Sequence, residues 1–255
     1  MKSTHSNKKL LIIIGASVLG AAVLAGAVVW ALAANGVFGK KQAEEPQCEH
    51  PTTVQLGTEV YKTCEDPYGP MEDKPIIYLY PEEETELKVK LGAPERITTS
   101  YPKYTDGWDV VAYPNGDLVD KATGNKLYSL YWEGESKEAK KLSSGFVIKG
   151  EDSAKFLEEK LDILGLNYKE KEEFIVYWLP KLEAHKYNHI YFEETDAIEE
   201  DMPLELSVRP DTIIRVRMLF EGLDEYKEVP EQKLAPAPAR TGFTVVEWGG
   251  SELGR

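Results

Sequence analysis

From residue 74 onward, the chain consists of short segments whose hydrophobic residues either alternate with polar ones or form continuous runs. In residues 85–91, Leu87, Val89 and Leu91 are separated by lysines, which is typical of a half-buried strand because successive side chains point to opposite faces. Residues 76–80 (IIYLY) form an apolar run between two prolines, which favours a fully buried strand. Similar patterns predict strands at residues 108–113, 127–133, 145–149, 189–192, 204–208, 213–220 and 243–248.

Two segments in the middle of this region have a helical period instead. Residues 153–164 carry apolar residues at helical spacing, with Ser153 as the predicted N-cap. A second helix is predicted over residues 168–179, where Asn167 supplies the cap and Pro180 ends or kinks the helix. Strands on both sides of two central helices predict an α+β domain with a mainly antiparallel sheet.

An uncharged hydrophobic segment, residues 10–34, precedes this domain. A helix of this length, rising about 1.5 Å per residue, spans a hydrocarbon core about 30 Å thick. The segment exceeds the hydrophobic region of a cleavable signal peptide, which is the alternative interpretation. The predicted fold class is therefore a single N-terminal transmembrane helix followed by the α+β domain. The predicted boundaries are a cytoplasmic tail at 1–9, the helix at 10–34, a polar stalk at 35–73 and an extracytoplasmic domain at 74–255.

The flanking charges favour this orientation by a narrow margin, because three lysines precede the helix and two follow it. The sequence thus predicts a single-pass protein of the cell membrane whose partners include the membrane itself. The chain has only two cysteines, Cys48 and Cys64, and both lie in the predicted stalk. An even count in one exported loop indicates a disulfide. A metal site that recruits His50 is the alternative, but its ligand spacing fits no zinc pattern.

The net charge of the chain limits which classes of partner it can bind. The formal net charge is -14, and the first 41 residues contribute five lysines and no acidic residue. The rest of the chain is therefore strongly acidic and repels phosphate groups. No glycine-rich phosphate loop occurs either. The sequence consequently predicts neither a nucleic-acid nor a nucleotide partner, and it indicates no cofactor.

Two acid–tryptophan–glycine segments are the first candidates for chemistry. They contain Trp132 followed by Glu133, and Glu247 followed by Trp248. Two carboxylates beside aromatic platforms could act as general acid and as base or nucleophile on a glycosidic bond. Alternatively, both tryptophans fill the core while the glutamates face water. Glu133 and Glu247 are therefore the candidate catalytic pair of a surface glycan hydrolase.

Two further groups resemble metal ligands without matching a known pattern. His185 and His189 have the i, i+4 spacing of zinc ligands, but Pro180 argues against one helix across both. The acidic residues of the stretch 193–201 could bind calcium, although they match no EF-hand loop. Surface histidines and a solvated acidic loop are the simpler interpretations, and the sequence predicts no metal site.

Aromatic residues favour a binding function over catalysis. The chain has 14 tyrosines and five tryptophans, residues that combine apolar surface with hydrogen-bonding capacity. The candidate ligand-binding residues are Trp108, Tyr131, Trp132 and Trp248. Tyrosines 101, 104, 113 and 128 are additional candidates. The sequence thus predicts an extracytoplasmic domain that binds a ligand or partner, either a glycan or a protein, with the glycan hydrolase as the alternative.

Five segments also carry a family resemblance. They are KPIIYLYP at residues 74–81, YWEG at 131–134, EFIVYWLP at 173–180, RPD at 209–211 and GFTVVEWGG at 242–250. These segments resemble a family of uncharacterised proteins without a known activity. The resemblance implies that residues 74–250 form one folding unit, and it implies nothing about chemistry.

Overall fold

The computed structural model describes residues 51–56, 59–64, 71–137 and 140–254. The chain divides into two units, Met1–Glu65 and Asp66–Arg255. In the first unit, strands β1 (Pro51–Leu56) and β2 (Glu59–Cys64) form an antiparallel hairpin. The second unit, called the main unit below, contains all the other described elements.

The main unit contains two β-sheets. The larger has seven strands in the spatial order β10-β11-β13-β14-β3-β9-β5, and the smaller has five in the order β12-β4-β6-β7-β8. All neighbouring described strands pair antiparallel except β13 and β14, which are parallel. The strands are β3 (Met71–Tyr80), β4 (Thr85–Leu91), β5 (Ile97–Tyr101), β6 (Trp108–Ala112), β7 (Leu118–Asp120), β8 (Lys126–Leu127), β9 (Leu130–Glu135), β10 (Phe146–Lys149), β11 (Tyr187–Glu194), β12 (Leu204–Leu206), β13 (Thr212–Leu223) and β14 (Thr244–Glu252).

Three α-helices occur in the described part of the chain. They are α1 (Ser153–Ile163), α2 (Tyr168–Glu183) and α3 (Thr195–Asp201). Ser153, predicted as the N-cap of α1, is instead its first residue, because a short 3-10 helix, Gly150–Asp152, leads into it. Pro180 does not end α2, because the helix continues to Glu183. Because proline has no backbone N–H, the helix lacks the hydrogen bond that residue 180 would otherwise donate to the Val176 carbonyl.

The seven-stranded sheet separates two hydrophobic cores. One core contains Leu157 and Leu161 of α1, Phe174 and Trp178 of α2, and Trp248 of the sheet. The other lies between the two sheets and is built around side chains of β3, β4, β6 and β14. Strands β3 and β14 contribute alternate residues to each core, which explains why residues 76–80 of β3 are apolar without interruption.

The N-terminus of α2 is held by a capping box. The Asn167 side chain accepts hydrogen bonds from the backbone N–H groups of Lys169 (2.9 Å) and Glu170 (3.1 Å). In return, the Glu170 carboxylate accepts from the Asn167 N–H at 2.8 Å. These contacts satisfy backbone donors that no helical carbonyl can reach.

We expect Asn167→Ala to lower the free energy of unfolding by about 1 kcal/mol, because the capping acceptor is lost. Urea denaturation of this variant checks the value. The exposed Asn125 supplies the matched control, and Asn125→Ala should leave the unfolding midpoint unchanged. Equal midpoints for both variants would show that the cap contributes nothing.

The predicted fold class requires a correction. The described residues form a mixed α+β fold with mostly strands, and none of their helices is long and apolar enough to cross a bilayer. The segment that suggested a transmembrane helix, residues 10–34, lies outside the described residues, as does the tail at 1–9. Among the described residues, no helix therefore supports the predicted single-pass, extracytoplasmic localisation.

The prediction of a disulfide also requires a correction. Among the described residues there is no disulfide. Cys64 ends β2 opposite Pro51, whereas Cys48 lies outside the described residues. The stalk at 35–73 is also not uniformly irregular, because the β1–β2 hairpin forms part of it.

Candidate ligand-binding groove

Glu247, one of the two candidate catalytic carboxylates, is buried between the two sheets. Its side chain is only 3% exposed, and it accepts hydrogen bonds from Trp132 Nε1 (2.9 Å) and Arg215 Nε (2.6 Å). The Arg215 guanidinium balances its charge in the interior. Glu247 therefore holds a structural ion pair and does not face a surface cleft.

Glu133, the other candidate, lies on the opposite face of the same sheet. Tyr131, two residues earlier in β9, packs against the helix-side core, whereas the intervening Trp132 belongs to the core between the sheets. Glu133 shares the face of Tyr131 and accepts a hydrogen bond from it. Because the sheet separates Glu133 from Glu247, the two carboxylates cannot flank one glycosidic bond.

The three candidate ligand-binding tryptophans are all buried. Trp108 and Trp132 are each 2% exposed and lie in the core between the sheets, and Trp248 is 0% exposed in the helix-side core. The Trp108 Nε1 donates to the Pro102 carbonyl at 2.8 Å, and the Trp248 Nε1 donates to the Tyr78 hydroxyl at 3.1 Å. Their donors are satisfied internally, so these rings support the fold. Of the four candidates, only Tyr131 reaches a groove.

That groove, called the tyrosine groove, runs between the helix-side face of the large sheet and helix α2. Its two halves have volumes of about 550 and 490 Å³ and meet at Lys74, Tyr128 and Tyr177. The first half also contains Tyr101, Lys126, Tyr131 and Glu133, and the second contains Lys169, Glu172, Glu173 and Val176.

Local irregularities in the strands position the groove residues. Lys74 has a positive φ of 54° at a shift in register between β3 and β9, which turns the backbone out of the regular pleat. Tyr128 lies in the short break between β8 and β9, where the chain passes from the five-stranded sheet to the seven-stranded one. Because this break lies outside both ladders, the Tyr128 side chain stays 56% exposed.

Helix α2 supplies the other wall of the groove through one stripe. Lys169, Glu172, Glu173, Val176 and Tyr177 recur at helical spacing, so they share a face. The adjacent stripe, with Phe174 and Trp178, is fully buried in the core. The amphipathic pattern of the helix thus fixes which residues line the groove.

Two tyrosine hydroxyls beside the groove glutamates, those of Tyr78 and Tyr131, interact with carboxylates within the protein. The Tyr78 hydroxyl donates to the Glu173 carboxylate at 2.7 Å, and burial, together with this carboxylate, raises the pKa of Tyr78. Burial and the hydrogen bond to Glu133 likewise raise the pKa of Tyr131. Both phenols therefore remain neutral at physiological pH.

Charged groups in the groove balance one another. Three lysines (Lys74, Lys126 and Lys169) and three glutamates (Glu133, Glu172 and Glu173) line its two halves. The Lys74 ammonium lies 4.7 Å from the centre of the Tyr177 ring, and the Lys181 ammonium lies 5.0 Å from it, as in cation–π contacts. In a strongly acidic chain, this groove is locally neutral.

The structure adds groove residues that the sequence candidates did not include, and three of them are Lys74, Glu173 and Tyr177. A signal for them was present in the sequence. All three lie in segments 74–81 and 173–180, which also carry the family resemblance. Glu173 and Tyr177 are four residues apart in a predicted helix, so the helical period alone would have placed them on the same face.

A second polar group, called the ionic cluster, is buried where α3 covers the other face of the large sheet. Arg217 Nη1 binds Glu72 Oε1 (2.7 Å) and Asp201 Oδ2 (2.6 Å), and its Nε donates to Glu193 Oε2 (2.6 Å). Glu72 is 1% exposed, and burial raises its pKa despite Arg217. Burial alone would raise the pKa of Asp201, but Arg217 and Arg96 lower it below its usual value.

The ionic cluster accounts for much of the acidic stretch 193–201. Within it, Glu193 and Asp201 bind Arg217, and Glu199 binds Arg215 at 2.6 Å. The described residues contain no group of acidic, histidine or cysteine side chains arranged to hold a metal ion. These carboxylates therefore neutralise buried arginines.

The two histidines with zinc-like spacing point to different partners. His189 belongs to strand β11, is fully buried, and its Nε2 lies 3.0 Å from the Ser144 carbonyl oxygen. His185 lies in the turn before that strand, with Nε2 3.3 Å from the Glu252 carboxylate. They do not share a helical face, so their spacing has no chelating geometry.

Comparisons of this chain with protein-family models, with curated proteins and with solved structures found no match. The function is therefore argued from the groove itself.

Proposed function

We propose that the main unit is a non-catalytic binding module whose tyrosine groove holds an uncharged polar ligand. The observation that carries the proposal is the convergence of Tyr101, Tyr128, Tyr131 and Tyr177 on one open groove. The Tyr101 and Tyr128 side chains are 59% and 56% exposed. Large aromatic side chains exposed together in a concave site are typical of ligand recognition.

The electrostatics of the groove support an uncharged ligand. Its lysines and glutamates occur in equal numbers. The attraction of a charged ligand to one set of these groups would therefore be offset by repulsion from the other set. The volume of each half lies within the range of small-molecule sites, about 300–1,000 Å³. Groups of both signs still offer hydrogen bonds to neutral polar atoms.

Fluorine NMR of protein labelled with 3-fluorotyrosine tests this proposal directly. We expect uncharged probes, either a neutral oligosaccharide or a proline-rich peptide with blocked ends, to shift resonances of the groove tyrosines. Inorganic phosphate should not shift them. For a probe that binds, Tyr128→Ala should weaken binding roughly tenfold, because an exposed stacking ring is lost.

The matched control is Tyr226→Ala. Tyr226 is 62% exposed and does not line the groove, so its removal should leave the affinity unchanged. The proposal fails if no uncharged probe shifts a groove tyrosine, or if both variants weaken binding equally.

A further inference from the structure

We propose that the ligand of the tyrosine groove is a neutral carbohydrate chain, and that this chain crosses Tyr128 to occupy both halves. The inference rests on the proposed function and adds the chemical class and the extended form of the ligand. Three properties of the groove support it: its hydrogen-bonding capacity, its exposed rings and its continuity.

Two partly exposed carboxylates of the groove, those of Glu133 and Glu173, favour ligands that donate hydrogen bonds. The Glu173 carboxylate accepts one hydrogen bond, from the Tyr78 hydroxyl at 2.7 Å, and the Glu133 carboxylate lies beside the Tyr131 phenol. A carboxylate accepts about four hydrogen bonds, and each of these two therefore retains acceptor sites. Both side chains are only partly exposed, so a ligand that covers them must supply O–H or N–H donors to avoid a desolvation penalty.

Sugar hydroxyls meet this requirement, whereas a proline-rich peptide does not. Each hydroxyl donates one hydrogen bond and accepts others, so a sugar can serve both Glu133 and the ammonium of Lys74. Proline has no backbone N–H, so a peptide rich in proline offers few donors to these carboxylates. The carbohydrate class therefore matches the polar atoms of the groove.

The exposed rings provide the apolar part of recognition. The C–H faces of pyranose rings are apolar, and Tyr101 and Tyr128 are exposed aromatic residues, with relative accessibilities of 59% and 56%. Such contacts bury apolar area without requiring charge. A hydroxyl-rich ligand with apolar ring faces satisfies both kinds of surface.

The continuity of the groove favours a chain over a single sugar. The two halves, about 550 and 490 Å³, share Lys74, Tyr128 and Tyr177. A ligand confined to one half would leave the other half and its glutamates in water. Linked sugars can extend across the shared residues, so affinity should increase with chain length until both halves are filled.

Calorimetric titration with neutral oligosaccharides of two to six units tests the inference. We expect affinity to rise with length and then reach a plateau. A fully O-methylated hexasaccharide keeps the ring faces but has no hydroxyl donors, and it should bind at least roughly tenfold more weakly. Glu133→Gln should also weaken binding of the unmodified hexasaccharide several-fold, whereas the exposed Glu135→Gln, two residues further along β9, should not.

The outcomes separate this inference from the proposed function. If the blocked proline-rich peptide shifts the groove tyrosines and no oligosaccharide does, the carbohydrate class is wrong and the binding module stands. If O-methylation leaves affinity unchanged, the donor argument is wrong. If no uncharged probe binds, both proposals fail. Unchanged circular dichroism and urea midpoints of each variant exclude misfolding as the cause.

Discussion

Replacing Arg217 with methionine is expected to lower the free energy of unfolding by about 3–5 kcal/mol. Arg217 is 4% exposed and binds three carboxylates, those of Glu72, Glu193 and Asp201. Its removal leaves negative charges in the interior without their counter-ion, and this desolvation cost is much larger than the net value of the ion pairs. Urea denaturation followed by circular dichroism measures the change.

Lys121→Met provides the matched control. Lys121 also pairs with two carboxylates, Glu86 and Asp109, but on the surface of the protein. Water already screens these charges, so the variant should unfold at the same urea concentration as the wild type. Similar losses for Arg217→Met and Lys121→Met would show that burial does not determine the strength of the ionic cluster.

Replacing Trp248 with alanine is also expected to lower the free energy of unfolding by about 3–5 kcal/mol. The ring is fully buried, contacts Phe174 edge-on at 5.3 Å between centroids, and donates its N–H to Tyr78. The substitution opens a cavity against α2 and leaves one hydrogen-bond partner unsatisfied. Thermal and urea unfolding both measure this loss.

This variant also distinguishes a core residue from a binding residue. Tyr226→Ala removes an exposed ring and should leave stability nearly unchanged. Should Trp248→Ala retain wild-type stability while losing affinity for a groove ligand, Trp248 would have to be reassigned from the core to the binding site.

The strands of the main unit were largely predictable because their apolar runs reflect burial directly. Strand β3 contributes Ile77 to one core and Tyr78 to the other, so its sequence is apolar at every position around them. The predicted strand at 127–133 is instead two strands, β8 and β9, in different sheets. Residues 127–132 are aliphatic or aromatic except for Ser129, so periodicity could not locate the break at which Tyr128 is exposed.

The ionic cluster could not be predicted from local sequence. In β13, Arg215 and Arg217 alternate with apolar residues, a pattern that normally indicates a strand with one face in water. In the structure, Glu247 and Glu72 come from strands that are distant in sequence, and they form buried ion pairs with Arg215 and Arg217 respectively. Only the tertiary arrangement reveals that their charges are compensated.

The candidate site was predicted in part. Tyr101, Tyr128 and Tyr131 were among the aromatic residues considered, and all three line the groove. Trp132 and Trp248 were considered on the same grounds and are buried. Composition alone could not separate the two groups, because aromatic residues are favoured both in cores and in binding surfaces.

The position of β14 has a consequence for biosynthesis. It is the most C-terminal strand of the described chain, yet it lies in the middle of the large sheet, between β13 and β3. Until residues 244–252 leave the ribosome, β13 and β3 lack their native partner on the edges that β14 later occupies, and the backbone N–H and C=O groups of these edges are unpaired. Such edges associate readily with other chains. We therefore expect the large sheet to reach its native strand order only after β14 has been synthesised.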